Sequence, residues 1–152
     1  MSDQVGRTTP SQKSRISVQG EKMTKAEAYE KAWKQGFRGD FSMVDQIYHP
    51  EYRAVQRNLN VEVDLEADKV VVSTISEHVT PGPVRVIFEN DEFVCLERTF
   101  RFISAETVEP AYNNAITAIT YLNGKIITQE SVGEGDQPDP SEGQGWNWED
   151  YE

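Results

Sequence analysis

The chain has 152 residues, 26 acidic against 15 basic, and a formal charge of −11. That length suits one domain with a real core, and that charge excludes nucleic acid or an anionic membrane as an electrostatic partner. A lone cysteine, Cys95, permits no intrachain disulfide, no apolar run reaches the length of a membrane span or signal segment, and a reducing, cytoplasmic setting is expected.

Residues 1–22 hold four basic and two acidic groups without hydrophobic periodicity, the composition of a disordered leader. Met23 is placed to begin a folded part that runs over 23–132. Thr24-Lys25-Ala26-Glu27 is a capping box, and Ala26, Tyr29, Trp33 and Phe37 then form one apolar helical stripe. That helix stops at Gly39. Asp40 is expected to cap a short second helix with Phe41, Val44 and Ile47 or Tyr48 facing inward, ending at His49 because Pro50 disfavours helical backbone before it.

A first strand is expected over 51–58. Segment 64–79 has strand-like composition at its centre, but Asp64 is a good cap and Leu65, Val72, Ile75 and Val79 share a helical face. It reads as a helix closed by Pro81-Gly82-Pro83. Strands follow over 84–88 and 93–102, turning at Asn90-Asp91, then over 112–122 and 125–132, turning at Asn123-Gly124. From 133 to 152 there are seven acidic residues and no basic ones, among Gly, Pro and Ser, which predicts a disordered tail.

Strand parity suggests which side chains turn inward. On 93–102 one face carries Val94, Leu96, Arg98, Phe100 and Phe102, so Arg98 lies in an otherwise apolar row. A buried arginine needs a partner, either an internal acid or the anionic group of a ligand. The same parity directs Tyr52, Ala54 and Gln56 inward on the first strand, and Ile127, Gln129 and Ser131 on the last. On strand 112–122 it selects Tyr112, Asn114, Ile116 and Ala118. With Trp33 and Phe37 these make an aromatic-walled pocket. Its ligand-binding candidates are Trp33, Phe37, Tyr52, Gln56, Arg98, Asn114 and Gln129.

Tyr52, His49 and Glu130 are the candidates for acid–base work, although a capping or surface role suits His49 as well. His78 can simply complement a helix end. Two distant histidines give no metal signature, and no cofactor motif is present. Cys95 on the outer sheet face reads as a packed thiol at a subunit contact, with no base placed to activate it. The segment Gly145-Trp146-Asn147-Trp148-Glu149-Asp150-Tyr151 is either a solvated part of the tail, a docking motif for a protein partner, or a flap over the pocket mouth.

Gly39-Asp40 with Val44, the run Tyr48-His49-Pro50-Glu51-Tyr52, and Asn123-Gly124-Lys125-Ile126 together resemble the nuclear transport factor 2-like superfamily, and its SnoaL-like, polyketide cyclase-like branch most. The resemblance covers roughly residues 24–132. It implies an α+β fold, a cone-shaped, cystatin-like roll in which a curved mixed or antiparallel sheet and about three helices enclose a pocket. It also implies a small-molecule ligand and a homodimer formed through the sheet.

The family's chemistries can be compared with this chain position by position. Ketosteroid isomerases place a tyrosine, a carboxylate base and an acid where this chain has Ala32, Gln56 and Ala118. The aspartate of SnoaL-type cyclases falls at Ser131, beside Glu130. The arginine of limonene-epoxide-hydrolase-like members matches Arg98, but the following acid is replaced by Phe100. The expected role is therefore binding of a small organic molecule whose anionic group would meet Arg98. The alternatives are a cyclase, isomerase, dehydratase or hydrolase with a non-standard acid–base pair, or an interaction module working through the tail.

Overall fold

The computed structural model describes residues 15–18, 20–106 and 109–152. Strands β1 (Arg15–Val18) and β2 (Glu21–Thr24) form an antiparallel hairpin turning at Gly20. Val18 and Met23 are buried in the core and Ile16 packs against it, which corrects the expectation of a disordered leader over this stretch. Three apolar side chains, one at nearly every other position, are enough to seat a hairpin that composition alone makes look solvated. Residues 1–14 and 19 of the expected leader lie outside the described residues.

Helix α1 (Lys25–Gly36) starts at a reciprocal cap. Thr24 Oγ1 accepts from the Glu27 amide at 3.1 Å, and Glu27 Oε1 accepts from the Thr24 amide at 2.8 Å. The chain leaves α1 through Gly39 at φ +92°, backbone that a side chain would strain. Asp40, expected as the cap of the next helix, lies one residue ahead of the observed cap Phe41. Its Oδ1 accepts from the Ser42 amide and hydroxyl, bending the chain into α2 (Ser42–Ile47). Met43, Val44 and Ile47 are the buried side chains of α2.

Strand β3 (Tyr48–Gln56) begins earlier than expected, directly at the end of α2, and pairs with the short β4 (Val61–Val63). Helix α3 (Leu65–Ile75) is capped by Asp64, whose Oδ1 accepts from the Ala67 amide at 2.9 Å. It ends short of the expected position, because Val79 already belongs to β5 (Val79–Pro81), opposite Phe102. Strands β6 (Arg85–Asn90), β7 (Phe93–Phe102), β8 (Ala111–Leu122) and β9 (Lys125–Glu134) form the expected antiparallel meander. The Asn123-Gly124 turn has φ of +53° and +79°, the two left-handed residues of a type I′ hairpin.

The sheet order is β4-β3-β9-β8-β7-β5, with β6 sharing the outer edge of β7 with β5. β3 and β9 run parallel, so the sheet is mixed and curls around the helices. At the narrow end the hairpin, α1 and α2 bury Met43, Val44, Tyr52, Val94, Leu96, Ile119 and Ile126 almost completely. At the wide end α3 has no fully buried residue, because it roofs a cavity instead of a solid core. No described helix is long and apolar enough to cross a membrane.

The segment expected to be a disordered tail is ordered. The Gln137 amide donates to the Tyr112 carbonyl, and a 3₁₀ turn over Trp148–Tyr151 docks on β5. Trp148 is 4% exposed, with Arg101 over its ring and Tyr112 beside it. Asp139 fastens the segment, with Oδ1 accepting from Trp148 Nε1 and from the amide and hydroxyl of Ser141, and Oδ2 accepting from the Tyr112 hydroxyl. Acidic composition suggested solvation, but Trp146, Trp148 and Tyr151 bring more apolar area than the nearby charges can keep in water.

Candidate functional site

The wide end of the roll holds a cavity of about 260 Å³. Helix α1 contributes Tyr29 and Trp33 and its C-cap contributes Phe37, one turn apart along the inward stripe. Helix α3 closes the roof with Val71, Val72, Ile75 and Asp68. Gln56 comes from β3, Arg98 and Phe100 from β7, Ala115 and Thr117 from β8, and Gln129 and Ser131 from β9. Cross-strand partners share a face, so Arg98 opposite Ala115 and Leu96 opposite Thr117 fix which residues of β8 turn inward.

That register corrects the expectation for Asn114. It lies on the outer face, where its Nδ2 donates to Glu97 Oε2 and its Oδ1 accepts from Thr99 Oγ1. Ile116, on the same outward parity, is 40% exposed. On β9 a bulge at Ile127 switches the parity, so the buried Ile126 and the cavity-lining Gln129 face the same way despite their odd spacing.

Trp33, Phe37, Gln56, Arg98 and Gln129 meet in the cavity wall. Tyr52 stands behind the wall, 1% exposed, and reaches the site through a hydrogen bond. The two other acid–base candidates lie elsewhere. His49 Nδ1 accepts from the Glu51 amide on an outer groove, and Glu130 pairs with Arg57 at 2.5 Å on the exposed face of β9. His78 lines a separate cleft beside β5.

Two hydrogen-bonded chains set the polar character of the cavity. Trp33 Nε1 donates to the Tyr48 hydroxyl at 2.8 Å, which donates to Gln129 Oε1 at 2.9 Å. With its oxygen occupied, the Gln129 amide turns its nitrogen toward the Tyr29 hydroxyl. In the second chain the Tyr52 hydroxyl donates to Asp68 Oδ2 at 2.9 Å. Thr117 and Ser131 hydroxyls pair at 3.1 Å across β8 and β9.

The electrostatics follow from burial. Desolvation raises the Asp68 carboxyl above the ordinary carboxylate value, and the nearby Asp64 adds to this. The Tyr52 hydrogen bond opposes both without overcoming them. Burial also raises the Tyr29 hydroxyl to about 12 and pushes Tyr48 and Tyr52 upward, so all three are neutral donors at physiological pH. Arg98 is 5% exposed and joins no ion pair among the described residues. Its Nε donates to the Gly82 carbonyl at 3.0 Å, and its guanidinium lies 5.7 Å from the Phe100 ring centre. Burial disfavours its charge, yet arginine keeps it at neutral pH.

Asp68 escaped the reading of the sequence. The signal was there, since it falls three residues after Leu65 and four before Val72, inside the apolar stripe of α3. An acid in such a row turns toward the interior. Among the described residues no group of three or more His, Cys, Asp or Glu side chains is arranged to hold a metal.

No protein-family profile matches the chain, and no curated protein matches it in sequence. Solved structures do match in shape. IdmH from Streptomyces antibioticus, itself proposed to be a polyketide cyclase, aligns at a TM-score of 0.60 and 13% identity over 72% of this chain and 92% of its own. A nuclear transport factor 2-like protein of unknown function from Cytophaga hutchinsonii aligns at 0.56 and 16% identity, over 72% and 98%. A structure from a Jannaschia species, assigned provisionally as a SnoaL-like polyketide cyclase, aligns at 0.56 and 12% identity, over 71% and 83%. With its mixed curled sheet and three helices, this chain has the nuclear transport factor 2-like fold.

Proposed function

We propose that the domain binds a small organic molecule in the aromatic cavity and moves a proton on it. Asp68 is the acid–base group, and Arg98 holds a carbonyl or anionic oxygen of the ligand. One observation carries this reading: a half-buried carboxyl held above its usual range lines the same small cavity as a buried arginine that has no carboxylate partner among the described residues. A raised carboxyl is a stronger base than a solvated one, and a cation beside the developing oxyanion stabilises the enolate that proton removal creates. Abstraction of a proton next to a carbonyl is a step open to isomerases, cyclases and dehydratases alike. Neighbours described as cyclases or isomerases support that class without naming a substrate.

The test is deuterium uptake at the α-carbon of a panel of cyclic enones and β-keto acids incubated with the protein in heavy water. Exchange that disappears in Asp68→Asn and weakens in Arg98→Met supports the reading. Exchange at wild-type rate in Asp68→Asn overturns it.

A second reading concerns assembly. Phe88, Ile116 and Val132 are 56%, 40% and 48% exposed on the outer face of β6, β8 and β9, where Cys95 of the intervening β7 also lies, and this surface suits a second copy of the chain. Light scattering of Ile116→Glu beside the wild type tests it, since a dimer through this face would dissociate. The docked Trp148 and Tyr151 leave the 145–152 segment fewer free anchors for a protein partner.

A further inference from the structure

The cleft between the C-terminal end of α1, the strand β5 and the 3₁₀ turn is larger than the central cavity, about 360 Å³ against 260 Å³. We propose that it is a second ligand site, one that takes a small carboxylic acid with an apolar body.

Three cations meet there, Lys34 from α1, Arg38 from the turn after it and Arg101 from β7, in a chain whose overall charge is −11. Among the described residues Arg101 donates to Glu152 Oε2 at 2.6 Å and Arg38 to an oxygen of the Glu152 α-carboxyl group, whereas Lys34 donates to the Asp150 carbonyl at 3.1 Å. A carbonyl oxygen solvates a cation but does not neutralise it, so Lys34 keeps an attraction for a carboxylate.

A second observation points the same way. Arg101 is 8% exposed, and its Nε is buried without a hydrogen-bond partner among the described residues. A guanidinium fork is satisfied by a bidentate anion, and Glu152 engages only part of it. The rest of the wall fixes the class of ligand. Phe37, Val79 and Ile103 face the same space, so the acid that fills it carries a hydrocarbon body behind its head group. Glu152 is then an intramolecular stand-in for that head group, and an external acid competes with it.

The test uses octanoate with the full chain, read by the indole N–H signals of the tryptophans. Trp146 and Trp148 report on the docked segment and Trp33 on the central cavity. Saturable shifts of Trp146 and Trp148 are expected with octanoate and not with octanol. Glu152→Gln removes the internal competitor and should tighten binding about tenfold. Lys34→Gln with Arg38→Gln should weaken it about tenfold, the effect of losing charge-assisted donors. Lys34 in the last turn of α1 and Arg38 in the turn after it make exposed contacts, so this variant should melt like the wild type.

The site is overturned if Glu152→Gln leaves the affinity unchanged, or if the Lys34 and Arg38 variant binds as tightly as the wild type. It is also overturned if octanoate moves only Trp33, which would place the acid in the central cavity beside Arg98, or moves none of the three signals.

Discussion

The Tyr52 hydroxyl donates to Asp68 Oδ2 at 2.9 Å, tying a fully buried strand residue to the one acid among the described residues that line the cavity. Oδ1 carries no hydrogen bond among the described residues, so one oxygen of the carboxyl is held and the other is left for the cavity. This contact positions the proposed acid–base group and also limits how far burial can raise it.

Tyr52→Phe should therefore shift proton transfer along the pH axis instead of abolishing it. Removing the donor withdraws the interaction that lowers the Asp68 carboxyl, so its value climbs further. A base works when deprotonated, and the acid limb of the rate profile should move to higher pH. The lost hydrogen bond should cost about 1 kcal/mol in denaturant unfolding. A lower maximal rate with an unmoved limb would separate Tyr52 from Asp68.

Asp68→Asn should stabilise the fold at neutral pH. The folded carboxyl lies above its unfolded value, so this group supports the fold fully only below about pH 3.8, and it works against folding once pH climbs through the folded value. Asparagine keeps an acceptor for Tyr52 without the charge. Melting curves should show a gain at neutral pH that vanishes in acid. A variant less stable than wild type at neutral pH contradicts this.

The docked C-terminal segment should release in acid. Burial alone would raise the Asp139 carboxyl, but hydrogen bonds from Trp148, Ser141 and Tyr112 outweigh it and hold the group below its ordinary value of 3.8. A depressed group contributes stability above its unfolded value and loses it as pH falls through the folded one. Tryptophan fluorescence should therefore show a transition below about pH 3.8, and Asp139→Asn should remove its pH dependence.

Gly124→Ala should lower stability by about 1 kcal/mol, because φ of +79° places a new Cβ against the following carbonyl. Space is not the issue, since nothing lies within 4 Å of that position. A loss confined to the unfolding rate would further show that this hairpin forms late in folding.

The sequence was most legible where a side chain answers a backbone need. Thr24 with Glu27, Asp64 and Asn123-Gly124 each satisfy a local requirement, and each stands where its spacing predicted. It was least legible on β8, where apolar content and inward direction part company. The cavity face there uses Ala115 and Thr117, because a hollow interior needs small side chains, while Ile116 turns outward. Arg98 was readable as a charge in an apolar row, and Asp68 obeyed the same rule on α3 but was hidden by the helix-or-strand ambiguity of its segment. The tail misled for another reason, since its folding depends on three aromatic side chains whose effect a count of charges does not register.

The break between β5 and β6 leaves the Gly82 carbonyl free to accept from Arg98. Its oxygen belongs to the main chain, so no substitution of a partner side chain can strip that contact away. The side chains around this arginine can change without removing the acceptor so long as position 82 stays glycine, since a Cβ there would lie 2.9 Å from the Thr99 carbonyl oxygen. An edge irregularity in the sheet thus shields a charge from mutation.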